Sequence, residues 1–303
     1  MKILIVGLGS IARKHLQVLQ ELLSEPKIFA LRSTHGGEDV EGVRNIVSWE
    51  EVPEDLGFVM ITNPTGLHAS AIEHALALNC PLFIEKPVLM RPEQAGSLLP
   101  KIQEKSTQTY VACNLRFLDC IQFVREYITQ NNPTINEVSL YCGSHLPDWR
   151  QGEDFRKSYS ADPERGGGVA LDLIHELDYL YWVFGKPLQF SSTTRNQSSL
   201  NIKASDFAHY VCVYPGFTAM VTLNYYRRDP LRTFELVFED KTWKVDLLKN
   251  TVTQGEEVIF ESEQRITDTY KTQMEYFLSC ISSNSRCMND FEEALDVLTF
   301  SLS

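Results

Sequence analysis

Short apolar runs and amphipathic stretches alternate through the first third of the chain. The apolar runs predict buried strands at residues 3–6, 28–31, 58–62, 82–84 and 109–112. Between them, apolar positions recur at helical spacing and predict helices at residues 11–23, 68–78 and 92–105. This alternation is typical of an α/β fold with a parallel sheet, in which ligands bind beyond the carboxyl ends of the strands.

The pattern changes after residue 114. Helices are predicted at residues 120–130 and 169–183, with a strand at 137–141 and a polar loop between them. Period-two alternation then predicts further strands at residues 207–214, 217–226, 232–238, 242–246 and 257–260. Helical patterns at 268–282 and 290–301 close the chain. We therefore expect two domains, residues 1–117 and an α/β domain at 118–303 with a largely antiparallel open sheet.

A glycine turn follows the first strand and precedes the first helix. Gly7, Gly9 and Ala12 have the spacing of a dinucleotide-binding fingerprint in the required context, which predicts a Rossmann domain. Gly7 permits a tight turn, Gly9 lets the backbone approach a pyrophosphate, and Ala12 allows close helix–strand packing. N–H groups at the start of the helix, at Ser10 and Ile11, would bind the phosphates. An ordinary βα turn is the alternative.

The second strand ends at Arg32, Ser33 and Thr34, without a carboxylate at its tip. Sites that prefer NAD place an acidic residue there, and Glu38 and Asp39 come only later. Arg32 can pair with a ribose 2′-phosphate, to which the two hydroxyls can donate. We predict NADP(H) as the preferred cofactor, with NAD(H) possible; alternatively, Arg32 only packs over the adenine.

Composition and charge narrow the function. The 303 residues are 43% hydrophobic and 22% charged, as in ordinary globular proteins. The net charge of -12 argues against a nucleic-acid surface, and no apolar run approaches the ~20 residues of a membrane span. Because Met1 and Lys2 lead directly into a strand, we expect no signal peptide and a cytoplasmic location. Seven scattered cysteines without a CxxC pair indicate reduced thiols and give no support for a metal site.

Two segments carry candidate acid–base chemistry. Lys86, between Glu85 and Pro87, follows a strand end and would lie beside the cofactor, where a lysine can hydrogen-bond a reacting oxygen; Glu85 could orient it. Asp172, His175 and Asp178 follow a glycine run at successive i,i+3 spacings. A carboxylate beside a histidine fixes its tautomer and suits proton transfer. The alternatives are a surface lysine and a solvated helix face.

Together these motifs resemble the Gfo/Idh/MocA family (glucose–fructose oxidoreductase and inositol dehydrogenase) over essentially the whole chain. The resemblance implies hydride transfer between a nicotinamide and a carbinol or carbonyl, commonly on a sugar or cyclitol. It implies that Lys86 is catalytic, that His175 is the general acid/base, and that Asp172 supports it or contacts substrate. The residues it places beside the cofactor are Asn63, Pro64 and His68. The spacing from Asp172 to His175 is three residues instead of the usual four, so Glu176 is the alternative acid/base.

The segment at 146–161 resembles a branch of the family associated with surface-polysaccharide and nonulosonic-acid biosynthesis. Trp149 could stack on a sugar face, and Arg150 and Arg156 could bind a carboxylate or phosphate; a solvated loop is the alternative. Further candidates for the substrate site are Tyr159, Asn114 and Arg116.

The sequence therefore predicts a cytoplasmic NADP(H)-dependent oxidoreductase acting on a small carbohydrate. Two alternatives stay open: an enzyme that retains and recycles its cofactor, and a non-enzymatic dinucleotide-binding sensor or assembly protein. We expect no nucleic-acid or membrane partner. The open sheet of the second domain favours a homo-oligomer, a dimer or tetramer.

Overall fold

The computed structural model describes residues 1–34 and 39–303, which form two compact units: Met1–Cys113 with Tyr270–Leu298, and Asn114–Thr269 with Thr299–Ser303. Six parallel strands form the sheet of the first unit. They are β1 (Lys2–Val6), β2 (Lys27–Leu31), β3 (Val43–Ile46), β4 (Leu56–Ile61), β5 (Leu82–Glu85) and β6 (Thr109–Ala112). Their spatial order is β3-β2-β1-β4-β5-β6. The strand order reverses between β1 and β4, so the carboxyl ends of these two strands border the crevice where such sheets bind ligands.

The connecting helices of this unit are α1 (Ser10–Leu22), α2 (His68–Leu76) and α3 (Leu98–Glu104), the last preceded by a 3-10 helix at Pro92–Ser97. The predicted Rossmann-type α/β fold is confirmed. Strand β3 was not predicted, because two of its four residues, Arg44 and Asn45, are polar and the strand is only partly buried. A buried apolar run was the only strand signal available in this part of the sequence.

A second sheet lies within the described residues 135–261 and contains eight strands. They are β7 (Ile135–His145), β8 (Gln189–Arg195), β9 (Phe207–Tyr214), β10 (Phe217–Asn224), β11 (Tyr226–Phe238), β12 (Thr242–Asp246), β13 (Thr251–Gln254) and β14 (Glu257–Glu261). Their order is β14-β13-β12-β11-β7-β10-β9-β8, and all neighbours are antiparallel except β7 and β10. The prediction of a largely antiparallel sheet is confirmed.

The helices of the second unit are α4 (Asp119–Asn131), α5 (Val169–Asp172) and α6 (His175–Phe184). The predicted single helix at residues 169–183 is wrong, because the chain leaves helical geometry at Leu173, where φ is -101° and ψ is 31°. Leu171, Leu173 and Ile174 are all buried, so the apolar pattern continues across the break and concealed it. Asp172 and His175 therefore lie on two different helices.

The chain closes with α7 (Thr269–Ser283) and α8 (Phe291–Leu302). Most of α7 and α8 belongs to the first unit, because that unit includes Tyr270–Leu298. In α7, Phe277 packs its ring 5.2 Å from Phe58 and 5.3 Å from Phe83, which fixes the helix to the first sheet. The predicted division at residue 117 was drawn along the sequence and stays a prediction. No helix in the described ranges is long and apolar enough to cross a membrane.

Candidate functional site

The turn after β1 requires its first glycine. Gly7 has φ of +86°, and a Cβ at this position would lie 2.7 Å from the Cα of Asn63. The Gly7 N–H donates to the carbonyl of Leu31 at 2.9 Å, and the Thr62 hydroxyl donates to the Gly7 carbonyl at 2.8 Å. The ends of β1 and β4 therefore approach each other so closely that only glycine fits between them.

The start of α1 is open. Gly9 is the N-cap residue, no side chain caps the helix, and the first turn holds no acidic residue. A Cβ on Gly9 would meet nothing within 4 Å, Ser10 is exposed and Ile11 is half-buried, whereas Ala12 is fully buried against the sheet. Uncapped N–H groups beside open space fit a phosphate-bearing cofactor, because they offer donors and a partial positive charge.

His68 holds the loop after β4 in place. Its buried ring lies between two backbone carbonyls: Nε2 is 3.0 Å from the Asn63 oxygen and Nδ1 is 3.2 Å from that of Val88. Burial lowers the pKa of His68, so the ring is neutral near pH 7 and donates through one nitrogen. Asn63 Oδ1 is buried and has no hydrogen-bond partner among the described residues, which leaves an acceptor for a ligand. Pro64 is exposed.

The turn after β5 carries Lys86. Glu85 is buried; its Oε1 lies 2.6 Å from His15 Nε2, and its Oε2 accepts the backbone N–H of Lys86 at 3.2 Å. Lys86 is half-buried and precedes Pro87 across a cis peptide bond. His15 was not predicted as a site residue, although its position between Ala12 and Leu16 on the buried face of α1 indicates a histidine that faces the sheet.

The tip of β2 presents the predicted 2′-phosphate residues. Arg32 is half-buried and its backbone N–H donates to the Ile46 carbonyl at 2.9 Å, whereas Ser33 and Thr34 are exposed. Glu38 lies outside the described residues. Asp39 accepts from Asn45 at 3.1 Å, so this carboxylate already has a partner.

In the second unit, two phenols surround Asp172. Tyr225 donates to Asp172 Oδ2 at 2.6 Å, and the charge of this carboxylate also acts on the phenol of Tyr159. Burial and the neighbouring Asp172 raise the pKa of Tyr159 to about 12, and that of Tyr225 well above its usual value. Both phenols therefore stay protonated at neutral pH, and that of Tyr225 donates to Asp172. Tyr225 was not recognised in the sequence, where it reads only as the end of a strand.

Two predicted substrate residues adjoin this cluster. Trp149 is 38% exposed, packs edge-on against Tyr225 at 5.3 Å, and donates its indole N–H to Ser144 Oγ at 2.9 Å. The Arg150 guanidinium lies 5.3 Å from the centre of the Tyr159 ring. The structure thus brings Trp149, Arg150, Tyr159 and Asp172 together around a partly exposed aromatic platform.

The glycine run shapes this cluster. A Cβ on Gly167 would lie 2.0 Å from the Tyr159 carbonyl oxygen, and Gly168 has φ of +127°. The Gly167 N–H also donates to the carbonyl of Asp162 at 3.0 Å. Close contact between backbones explains why this run contains glycine, and it brings the loop of Tyr159 against the start of α5.

Arg116 does not serve the predicted substrate site. It is fully buried and forms a bidentate pair with Asp178, at 2.9 Å from Nε to Oδ2 and 2.7 Å from Nη2 to Oδ1. This pairing contradicts the predicted role of Arg116 in substrate binding, because its guanidinium is enclosed with the Asp178 carboxylate inside the unit. The predicted role of Asp178 beside His175 stays a prediction. Asn114 is also buried, and its amide donates to Thr269 Oγ1 at 2.7 Å.

Glu176 and His175 differ in their burial and in their availability to a substrate. Glu176 is fully buried, with its oxygens 2.5 Å and 3.1 Å from Nε and Nη2 of Arg232. His175 begins α6 and is half-buried. A carboxylate held by a guanidinium in this way is poorly suited to accept a substrate proton, so the geometry favours His175 over Glu176.

Two family models match the chain. One, described as an oxidoreductase family with an NAD-binding Rossmann fold, matches residues 1–113. The other, the GFO/IDH/MocA C-terminal domain, matches residues 128–244.

Several characterised and uncharacterised proteins resemble the chain. UDP-N-acetylglucosamine 3-dehydrogenase of Acidithiobacillus ferrooxidans is 22% identical over 82% of this chain and 74% of its own. An uncharacterized oxidoreductase of Synechocystis is 27% identical over 42% of this chain, but the match spans only 34% of that protein. A match to an uncharacterized yeast protein, 25% identical over 63% of this chain, spans 57% of the relative.

Solved structures share the fold. The structure of the Acidithiobacillus ferrooxidans UDP-N-acetylglucosamine 3-dehydrogenase has a TM-score of 0.79 at 20% identity, covering 100% of this chain and 95% of that one. Levoglucosan dehydrogenase in complex with NADH has a TM-score of 0.85 at 14% identity, covering 99% and 95%.

Proposed function

Because the chain belongs to the Gfo/Idh/MocA family of oxidoreductases, we propose that it transfers a hydride between a nicotinamide cofactor and a carbinol or carbonyl carbon of a sugar or sugar derivative. The observation that carries the proposal is the carboxyl edge of the first sheet. There the open backbone at Gly9, the unpartnered Asn63 oxygen and the Lys86 turn follow the adjacent strands β1, β4 and β5.

The residues of this edge fit a dinucleotide. The N–H groups of Ser10 and Ile11 would hold its phosphates, and Asn63 would bind it beyond β4. When bound, the nicotinamide supplies the hydride acceptor or donor. Lys86 donates a hydrogen bond to the reacting oxygen of the substrate and stabilises negative charge there.

His175 moves the proton. It is the half-buried imidazole at the start of α6, while the neighbouring Glu176 is occupied by Arg232. In the oxidation direction the imidazole accepts the substrate hydroxyl proton, and in reduction it returns it. Asp172, oriented by Tyr225, supports His175 or accepts a substrate hydroxyl.

We further propose that the substrate is a sugar that carries an anionic group, and that NADP(H) is preferred. Trp149 offers an exposed ring for stacking on a sugar face, with Arg150 beside it. Relatives named for UDP-N-acetylglucosamine and for glucose 6-phosphate act on anionic sugars of this kind. Arg32, Ser33 and Thr34 would bind the 2′-phosphate.

A screen of sugar nucleotides, sugar phosphates and neutral sugars, followed by nicotinamide absorbance, tests the activity. Lys86→Ala and His175→Ala should each lower kcat by about 10²–10⁴-fold, whereas the control His209→Ala, whose ring bonds Thr222 on the second sheet, should retain activity. Near-normal turnover in Lys86→Ala would refute the assignment. Cofactor binding without turnover on any of these sugars would favour the sensor function instead.

Cofactor preference is tested separately. Arg32→Ala should weaken NADPH binding about tenfold or more and leave NADH binding nearly unchanged, since only the 2′-phosphate distinguishes the two. Ser10→Ala is the matched control, because it alters both affinities alike or neither. A wild-type protein that binds NADH more tightly, with the order unchanged in Arg32→Ala, would contradict the NADP(H) proposal.

A further inference from the structure

A single buried carboxylate connects helix α1 to the backbone of Lys86. His15 Nε2 lies 2.6 Å from Glu85 Oε1, although the two residues are far apart in the sequence. The other oxygen, Oε2, accepts the Lys86 backbone N–H at 3.2 Å. Each oxygen of Glu85 therefore has a different partner, one on the helix and one on the turn.

The imidazole in this connection is held firmly. His15 is fully buried, and its ring makes edge contacts with Phe83 at 4.9 Å and with Tyr270 at 5.6 Å. Phe83 and Glu85 are two residues apart on β5, so they point to the same face of the sheet and meet His15 together. A ring enclosed in this way cannot swing independently, so a displacement of α1 displaces its contact with Glu85.

The surroundings of His15 favour one tautomer of its ring. His15 Nδ1 is buried and has no hydrogen-bond partner in residues 1–34 or 39–303. A proton there would be a buried donor without an acceptor, which is costly. The tautomer that carries its proton on Nε2 and donates to Glu85 Oε1 is therefore favoured.

The position of His15 gives the connection a function. The residue lies in the second turn of α1, whose open N-terminus is the phosphate site proposed above. We propose that the His15–Glu85 pair couples occupation of this phosphate site to the placement of Lys86, so that cofactor binding orders the catalytic lysine. This inference rests on the proposed function, since it needs a dinucleotide at α1. His15 is then a positioning residue that acts through Glu85.

Adenosine diphosphate ribose separates this coupling from direct contact, because it carries the pyrophosphate but has no nicotinamide to touch Lys86. The protein would be labelled with [6-¹³C]lysine, and the Lys86 resonance identified by its absence from Lys86→Arg. We expect the probe to shift and sharpen this resonance in the wild type. His15→Leu should bind the probe and show no such response, and its NADH dissociation constant should rise about fivefold or more.

Two variants separate coupling from damage to the fold. His15→Gln keeps a donor able to reach Glu85 and should restore the response. Glu85→Gln leaves only one acceptor oxygen for two donors, so the response should be lost or weakened. The exposed His74, stacked on Trp49, supplies the control: His74→Leu should respond like the wild type.

The outcomes are distinct. The coupling would be overturned, with the dinucleotide site intact, by either of two results. In the first, the wild-type Lys86 resonance does not change when adenosine diphosphate ribose binds. In the second, folded His15→Leu shows the full response. If the wild type binds none of this probe, NADPH and NADH, the proposed function itself fails and the coupling fails with it. Should His15→Leu not fold, the responses of His15→Gln and Glu85→Gln decide, and equal full responses in both would overturn the proposal.

Discussion

Replacing Glu176 should destabilise the second unit far more than a surface carboxylate would. Its side chain is fully buried, and Arg232, its bidentate partner, is 14% exposed. In Glu176→Leu the Arg232 guanidinium loses both carboxylate bonds inside the unit. Breaking a buried pair from one side costs about 3–5 kcal/mol, because one charge is left uncompensated.

The double variant Glu176→Leu, Arg232→Leu removes both charges together. Its cost should therefore be well below the sum of the two single costs, with a coupling energy of about 2–3 kcal/mol. The exposed pair of Lys244 and Glu235, 3.6 Å apart in the same unit, should show little coupling in a matched cycle, because solvent screens it.

Urea unfolding followed by tryptophan fluorescence measures this cycle, since Trp182 lies on the same helix as Glu176. If the single Glu176→Leu loses less than about 1 kcal/mol of unfolding free energy, the buried pair is not structural. Glu176 would then be available for proton transfer, and the choice of His175 would lose its main support. Activity lost in Glu176→Gln at unchanged stability would count against the account in the same way.

Three further predictions concern the glycine turn after β1 and the cluster around Asp172. Gly7→Ala should lower the free energy of unfolding by about 1–3 kcal/mol, because the added Cβ would meet Asn63. Gly9→Ala should fold normally but bind the nicotinamide nucleotide more weakly. Thermal melts and nucleotide titrations check both variants, and equal melting temperatures would contradict the steric argument. In Gly167→Ala the added Cβ must displace the Tyr159 loop, so Trp149 should become more exposed and its fluorescence should shift to the red. An unchanged fluorescence spectrum would contradict this expectation. The pKa of Tyr159 is raised to about 12, above the value of about 10 for a tyrosine in the unfolded chain. Its contribution to stability is therefore complete below pH 10 and is lost as the pH rises towards 12. Tyr159→Phe should flatten this part of the plot of unfolding free energy against pH, and an unchanged plot would exclude the shift.

The fold could be predicted from the sequence wherever the apolar periodicity is strong. Five of the six strands of the first sheet follow from buried runs such as residues 3–6, and the glycine turn follows from spacing. Strands β3, β8 and β13 and the break at Leu173 were missed, because short polar strands and an uninterrupted apolar pattern give no signal.

The candidate site was only partly accessible. Trp149, Arg150 and Tyr159 share one loop and lie in the same cluster of the structure, while their role in substrate binding stays a prediction. The pairs Arg116–Asp178 and Glu176–Arg232 join residues about 60 positions apart, and no local pattern specifies which partner a buried charge will find. The same reason hid Tyr225 and His15, whose importance lies in contacts with distant carboxylates.

A titration of the purified protein with NADPH and with NADH, followed by the fluorescence of the reduced nicotinamide, tests the central claim most directly. The account predicts saturable binding of both, tighter for NADPH, and loss of both in Gly9→Val, where a branched side chain would fill the open space beside α1. Absence of binding by either nucleotide would contradict the cofactor site and, with it, the assignment of the protein as a nicotinamide-dependent oxidoreductase.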